Sequence, residues 1–166
     1  MLALIGVAAC SPTFNWRELR PEDTPLEALM PCKPESATRP VPLLGAPIQL
    51  HMYSCETGGL TFAIAWAELA EAGQVRAALS QWQTASLAAI QVKPTDSERH
   101  ENWAVKVAGA AEVQGVKAQG IDHLGQKLHS QMAYFWKDRK IYQAAIYGAK
   151  VDSTVSATFF DGLELP

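Results

Sequence analysis

Nowhere in these 166 residues do three basic residues stand together, nor does an apolar run reach about eighteen. The first absence excludes the dense basic face that nucleic-acid binding requires, and a net charge of −3 excludes it further. The second excludes a helix that crosses a membrane. Catalytic signatures are missing as well. The chain has no GxSxG elbow, no HExxH pair, no P-loop and no GxGxxG turn. Charged residues make up only 19% and apolar residues 48%, a globular balance and not a disordered one. One domain is the expectation at this length, and such a chain buries enough surface for one good core.

What is present begins at the N-terminus. Residues 1–9 are apolar or glycine throughout, like the apolar part of a secretory leader. The run is short and no Lys or Arg precedes it, so it reads as a partial leader. Val7-Ala8-Ala9-Cys10 resembles the lipobox of bacterial lipoproteins: an aliphatic residue, two small residues, then cysteine. The resemblance implies that Cys10 becomes the acylated N-terminus of the mature protein. Acyl chains contribute roughly 0.8 kcal/mol per buried methylene, so two or three give a durable anchor. Ser11 follows, and by resemblance to Gram-negative sorting a residue other than aspartate implies the outer membrane, facing the periplasm. A hydrophobic tail packed on the domain is the alternative. Residues 10–25 then read as a tether, with Phe14 and Trp16 either anchoring it to the fold or forming a partner-binding patch.

Three cysteines are present, Cys10, Cys32 and Cys55. Lipidation of Cys10 leaves a pair, and an exported chain meets an oxidising compartment. A Cys32–Cys55 disulfide is therefore expected, worth roughly 3 kcal/mol in the chain-entropy model. Two separately buried thiols are the alternative.

From residue 26 to residue 166 the pattern predicts a single α+β domain. Pro31 and Pro34 limit the segment at 26–30 to an edge. Residues 35–47, rich in Pro, Ser and Thr, read as loop, partly extended. Ile48, Leu50 and Met52 alternate with Gln49, His51 and Tyr53, and Gly58-Gly59 marks a turn into a second strand from Leu60 to Trp66. Over 71–90 the period changes. Val75, Leu79, Trp82, Ser86 and Ile90 recur at three and four, which predicts an amphipathic helix. Residues 95–102 read as charged and solvated. Strands are predicted at 113–120, 128–136 and 141–147, the last two joined through residues 137–140 as a central hairpin. Asp152 or Ser153 caps a final helix whose inner face holds Val155 and Phe159. Hairpin connections argue for a mostly antiparallel sheet, flanked by two amphipathic helices.

This arrangement resembles the Mog1/PsbP-like fold. The residues that carry the resemblance are Met30-Pro31-Cys32-Lys33-Pro34, the hairpin across 137–140 and the closing Ala157-Thr158-Phe159-Phe160-Asp161-Gly162-Leu163. It covers residues 26–165. It implies a non-catalytic binding or assembly role, because family members include photosystem-associated subunits, a Ran-binding factor and bacterial lipoproteins. No family site residue has a match in this sequence.

The candidate functional residues are few. Trp66 and Trp82 fit core periodicities. Trp16, Trp103 and Trp136 do not need to be core, and Trp136 precedes a cationic turn where Arg139 could stack on its indole. These four residues, Trp16, Trp103, Trp136 and Arg139, are the candidate partner-binding set. Glu68 and Glu71 read as favourable charge near a helix N-terminus. Neither metal nor cofactor is expected, and the partners expected are the membrane, through the anchor, and a protein or envelope component. A periplasmic enzyme or metal-binding protein built on Asp122, His123 and His129 is the alternative.

Overall fold

In a computed structural model that describes residues 12–166, the prediction of an α+β domain with a mostly antiparallel sheet holds. The chain opens with two short strands, β1 (Arg17–Leu19) and β2 (Ala28–Met30), paired antiparallel as a separate ribbon. Next come β3 (Glu35–Leu43), β4 (Ala46–Thr57) and β5 (Leu60–Glu68). A single 3-10 turn over Ala72–Gln74 leads into α1 (Val75–Ala89). Then follow β6 (His100–Trp103), β7 (Val113–Ile121), β8 (Lys127–Lys137) and β9 (Lys140–Gly148), and finally α2 (Ser153–Asp161). The main sheet has the order β3-β4-β5-β9-β8-β7-β6, with every neighbouring pair antiparallel.

The strand β9 lies at the centre, and residues 141–146 are all buried. A strand covered on both faces has no polar side to show, which is why this hairpin carries large side chains in both registers. Its alternation sorts the core into two layers. Tyr142, Ala144 and Ile146 face α2 and pack with Phe62, Phe135 and Phe159. Ile141 and Ala145 face α1, which meets them and the rest of that layer through Val75, Ala78 and Leu87. The helices therefore cover opposite faces of one sheet.

Local chemistry accounts for the ends of α2. The Asp152 carboxylate accepts from the backbone N–H of Thr154 at 2.9 Å and of Val155 at 3.0 Å, satisfying two amides that a helix start leaves open. Beyond α2 the chain extends so that Glu164 bridges both Glu27 and Ala108. That seals Leu163 and Leu165 into the core.

The structure corrects two stretches read as loop or solvated segment. Residues 35–47 hold all of β3 and the start of β4, and residues 95–102 hold the start of β6. Both β3 and β6 are edge strands. An edge needs hydrogen bonds on one side only, so Pro40 and Pro42 fit β3 without leaving a buried amide unpaired.

The disulfide is present. Cys32 and Cys55 are bonded, with Cα atoms 6.0 Å apart and a sequence separation of 23. It ties the segment after β2 to β4. Before β1, Phe14 and Trp16 lie against Phe62 with ring centroids 6.4 and 6.3 Å away. Residues 1–9 and Cys10, expected as leader and acylation site, lie outside the described residues.

Candidate functional site

The helix α1 does not fill the face it covers. On β5 the large residues Phe62, Ile64 and Trp66 turn toward α2, and Ala63, Ala65 and Ala67 turn toward α1. Opposite them α1 presents Ala85 and Ala89. Small side chains on both surfaces leave a cleft of about 550 Å³ between helix and sheet. Its floor continues onto Leu50 and Met52 of β4, and its outer wall is β3 through Val41 and Leu43. At the tip of the β3–β4 hairpin the Leu44 N–H donates to the Gln81 side-chain oxygen at 2.6 Å. That bond ties the hairpin to α1 and closes one end. The volume lies inside the roughly 300–1,000 Å³ range of small-molecule sites.

Polar groups in the cleft are few: Arg39 on β3, Gln81 and Ser86 on α1, and Gln143 and Tyr147 on β9. Gln143 is 8% exposed, the one amide in an otherwise apolar stretch of strand. Its Nε2 donates to Ser86 Oγ at 2.8 Å and to Tyr134 Oη at 2.9 Å. These two contacts use both amide hydrogens. The other end of the amide, Oε1, has no hydrogen-bond partner among the described residues, and Gln143 lines the cleft. Tyr147 lines it as well, and burial raises its phenol well above the ordinary tyrosine value. Burial likewise pushes Tyr134 up to about 12, against the opposing effect of hydrogen bonds from Ser86 and Gln143. Arg39 is the sole charged side chain on the cleft, and it is exposed. Hydrophobic walls with a few fixed polar groups bind an apolar molecule and orient it.

The residues singled out from sequence are scattered around the molecule. Trp16 packs edge-on to Phe62. Trp103 meets Phe160 edge-on at 4.7 Å, with the Lys117 ammonium 5.2 Å from its ring centre. Trp136 is partly buried against Ile141 on the α1 face. Arg139 does not stack on it. The guanidinium donates to Glu68 at 2.8 Å and to the Ala70 carbonyl at 3.1 Å. Glu68 is thereby held by Arg139, and by Lys140 at 3.4 Å, in place of the helix-terminus role expected of it. These four candidates form no common surface site.

Asp122, His123 and His129 do not converge either. Asp122 accepts from the N–H groups of Leu124 at 2.8 Å and Gln126 at 2.9 Å, which builds the β7–β8 turn. His123 is exposed on that turn. His129 lines a polar hollow of about 380 Å³ with Lys117 and Lys150, mixed in charge through Glu98 and Glu101. Among the described residues no three His, Cys, Asp or Glu side chains are grouped to hold a metal ion.

Sequence reasoning missed the cleft altogether. Two signals pointed to it: alternate alanines on β5 facing alternate large residues, and one glutamine inside an apolar central strand. No protein-family model matches the chain, and no curated protein matches it.

Proposed function

We propose that this chain is a lipid-anchored binding module of the Gram-negative envelope. It is held at the periplasmic face of the outer membrane through Cys10, and the cleft under α1 is its binding site. The observation that carries the reading is the cysteine pattern. The Cys32–Cys55 bond takes two of the three cysteines, and the one outside it follows Val7-Ala8-Ala9. A disulfide fits an oxidising compartment. The role is binding or assembly and not catalysis. The concave surface with the most apolar lining holds two amides, two hydroxyls and one arginine, with no nucleophile–base pair.

The same proposal places the domain in the Mog1/PsbP-like group. Supporting it are the antiparallel sheet between two helices and the buried Phe159-Phe160 pair closing α2. Thr13 and Phe14 lie beside Gly58, and Phe14 belongs to the α2 face. The first described residues therefore lie on the face opposite the cleft.

Radiolabelled palmitate, fed to cells expressing the chain, tests the anchor. Label in the wild type and none in Cys10→Ala is the expected result. An unlabelled wild type removes the envelope assignment.

A further inference from the structure

We infer that the cleft under α1 takes an uncharged single-chain amphiphile, a hydroxyl-headed acyl or alkyl chain, with the head at Gln143 and the chain along the alanine floor. The inference rests on the reading of this domain as a binding module and adds the ligand class. Three observations lead to it. The first is shape. The space lies between Ala65 and Ala67 below and Ala85 and Ala89 above, and β4 extends its floor through Leu50 and Met52. From Ile48 to Met52 a strand advances roughly 13 Å, so the apolar floor is long as well as narrow.

The second observation is a polar atom that opens on the cleft. Gln143 is more than nine-tenths buried. Its Oε1 has no partner among the described residues and is reached from the cleft and not sealed off, so a ligand that fills the cleft can take the place of water there. Ser86 and Tyr134 hold one end of the amide, so its other end is fixed toward the cleft. Tyr147 also lines the cleft, and no side chain among the described residues bonds its hydroxyl. A hydroxyl head both donates and accepts. It can therefore donate to the Gln143 oxygen or accept from the Tyr147 phenol, which stands four residues, roughly 13 Å, farther along β9. A hydrocarbon can do neither.

The third observation is charge. No carboxylate lines the cleft, which disfavours an ammonium head. Arg39 stands on edge strand β3, three strands away from Gln143 of β9 in the sheet order. A carboxylate head drawn to Arg39 would put a hydrocarbon chain against the open amide of Gln143, which favours the neutral head at the deep end.

The test uses the full chain carrying Cys10→Ala, which stays unacylated and needs no detergent. Displacement of N-phenyl-1-naphthylamine fluorescence is followed with decanol, decane, decanoate and decylammonium. Decanol is expected to displace at least tenfold better than the other three. Gln143→Leu is expected to lose that tenfold preference and retain decane binding. Ala85→Trp introduces a large side chain at an exposed helix position lining the cleft, and is expected to abolish displacement by all four with unchanged near-UV circular dichroism. No displacement by decanol in the wild type overturns the inference. So does a preference for decanoate that disappears in Arg39→Ala, or decanol binding that survives Ala85→Trp. Failure of palmitate labelling would remove the anchor and leave this result standing, so the two readings fail separately.

Discussion

Two glycines with nearly the same backbone show how different a single position can be. Gly45 has φ +80° and Gly109 has φ +81°, both in the left-handed region. A Cβ at Gly45 would meet nothing within 4 Å, whereas at Gly109 it would lie 1.8 Å from the Leu165 carbonyl oxygen. Gly45→Ala therefore bears only the backbone penalty, about 1 kcal/mol. Gly109→Ala must also push away the tail that Leu165 holds through its N–H bond to Ala108, and is expected to lose roughly 3 kcal/mol. Urea denaturation of the two variants checks the difference, and equal losses would contradict the packed tail. The buried phenols give a pH dependence at the same scale. Tyr134 titrates near 10 when unfolded and at about 12 when folded. The folded state thus holds its proton more tightly. That stability is complete below pH 10 and is lost as pH rises toward 12, on the order of 2–3 kcal/mol from this residue. Tyr147, raised by burial as well, acts in the same direction. Urea midpoints measured across that window should fall steadily, and a flat profile would show the phenols to be solvated.

At the level of elements, the central strands and both helices were legible and the sheet edges were not. The helix α1 announces itself because Val75, Leu79, Trp82 and Ser86 keep a helical period, and β9 because it is apolar on both sides. The strands β3 and β6 carry proline and charge, which is how sheets blunt their edges against other chains. The same substitutions erase the alternation by which a strand is recognised, so β3 reads as loop. Gln143 was passed over for a related reason. In a strand of large side chains one amide does not disturb the pattern, and its meaning depends on Ser86 and Tyr134, which lie 57 and 9 residues away. The disulfide was legible because pairing followed from a count. Replacing Cys32 and Cys55 together with serine is expected to lower stability by about 3 kcal/mol through the entropy of the unfolded chain. Denaturation with and without reductant measures it. A loss in the wild type on reduction that matches the double variant supports the bond, and no loss contradicts it.

On the scale of the whole molecule, one sheet separates two environments. Its α2 face is sealed by aromatic stacking, by the Phe14–Trp16 segment and by the C-terminal extension. Its α1 face is propped open by alanines, with a polar contact at each end: Gln81 bonded to the hairpin tip, and Gln143 bonded to Ser86. The closed face supplies stability and the chain entering from residue 13. The propped face supplies a concave surface. A domain with one sealed and one open face is suited to holding a small apolar molecule. The most direct measurement is chemical-shift mapping of the nitrogen-labelled chain on titration with decanol. The account predicts that the perturbed amides lie on α1, β3, β4 and around Gln143. Perturbation centred instead on Trp103, Lys117 and His129, or none at all, would contradict it.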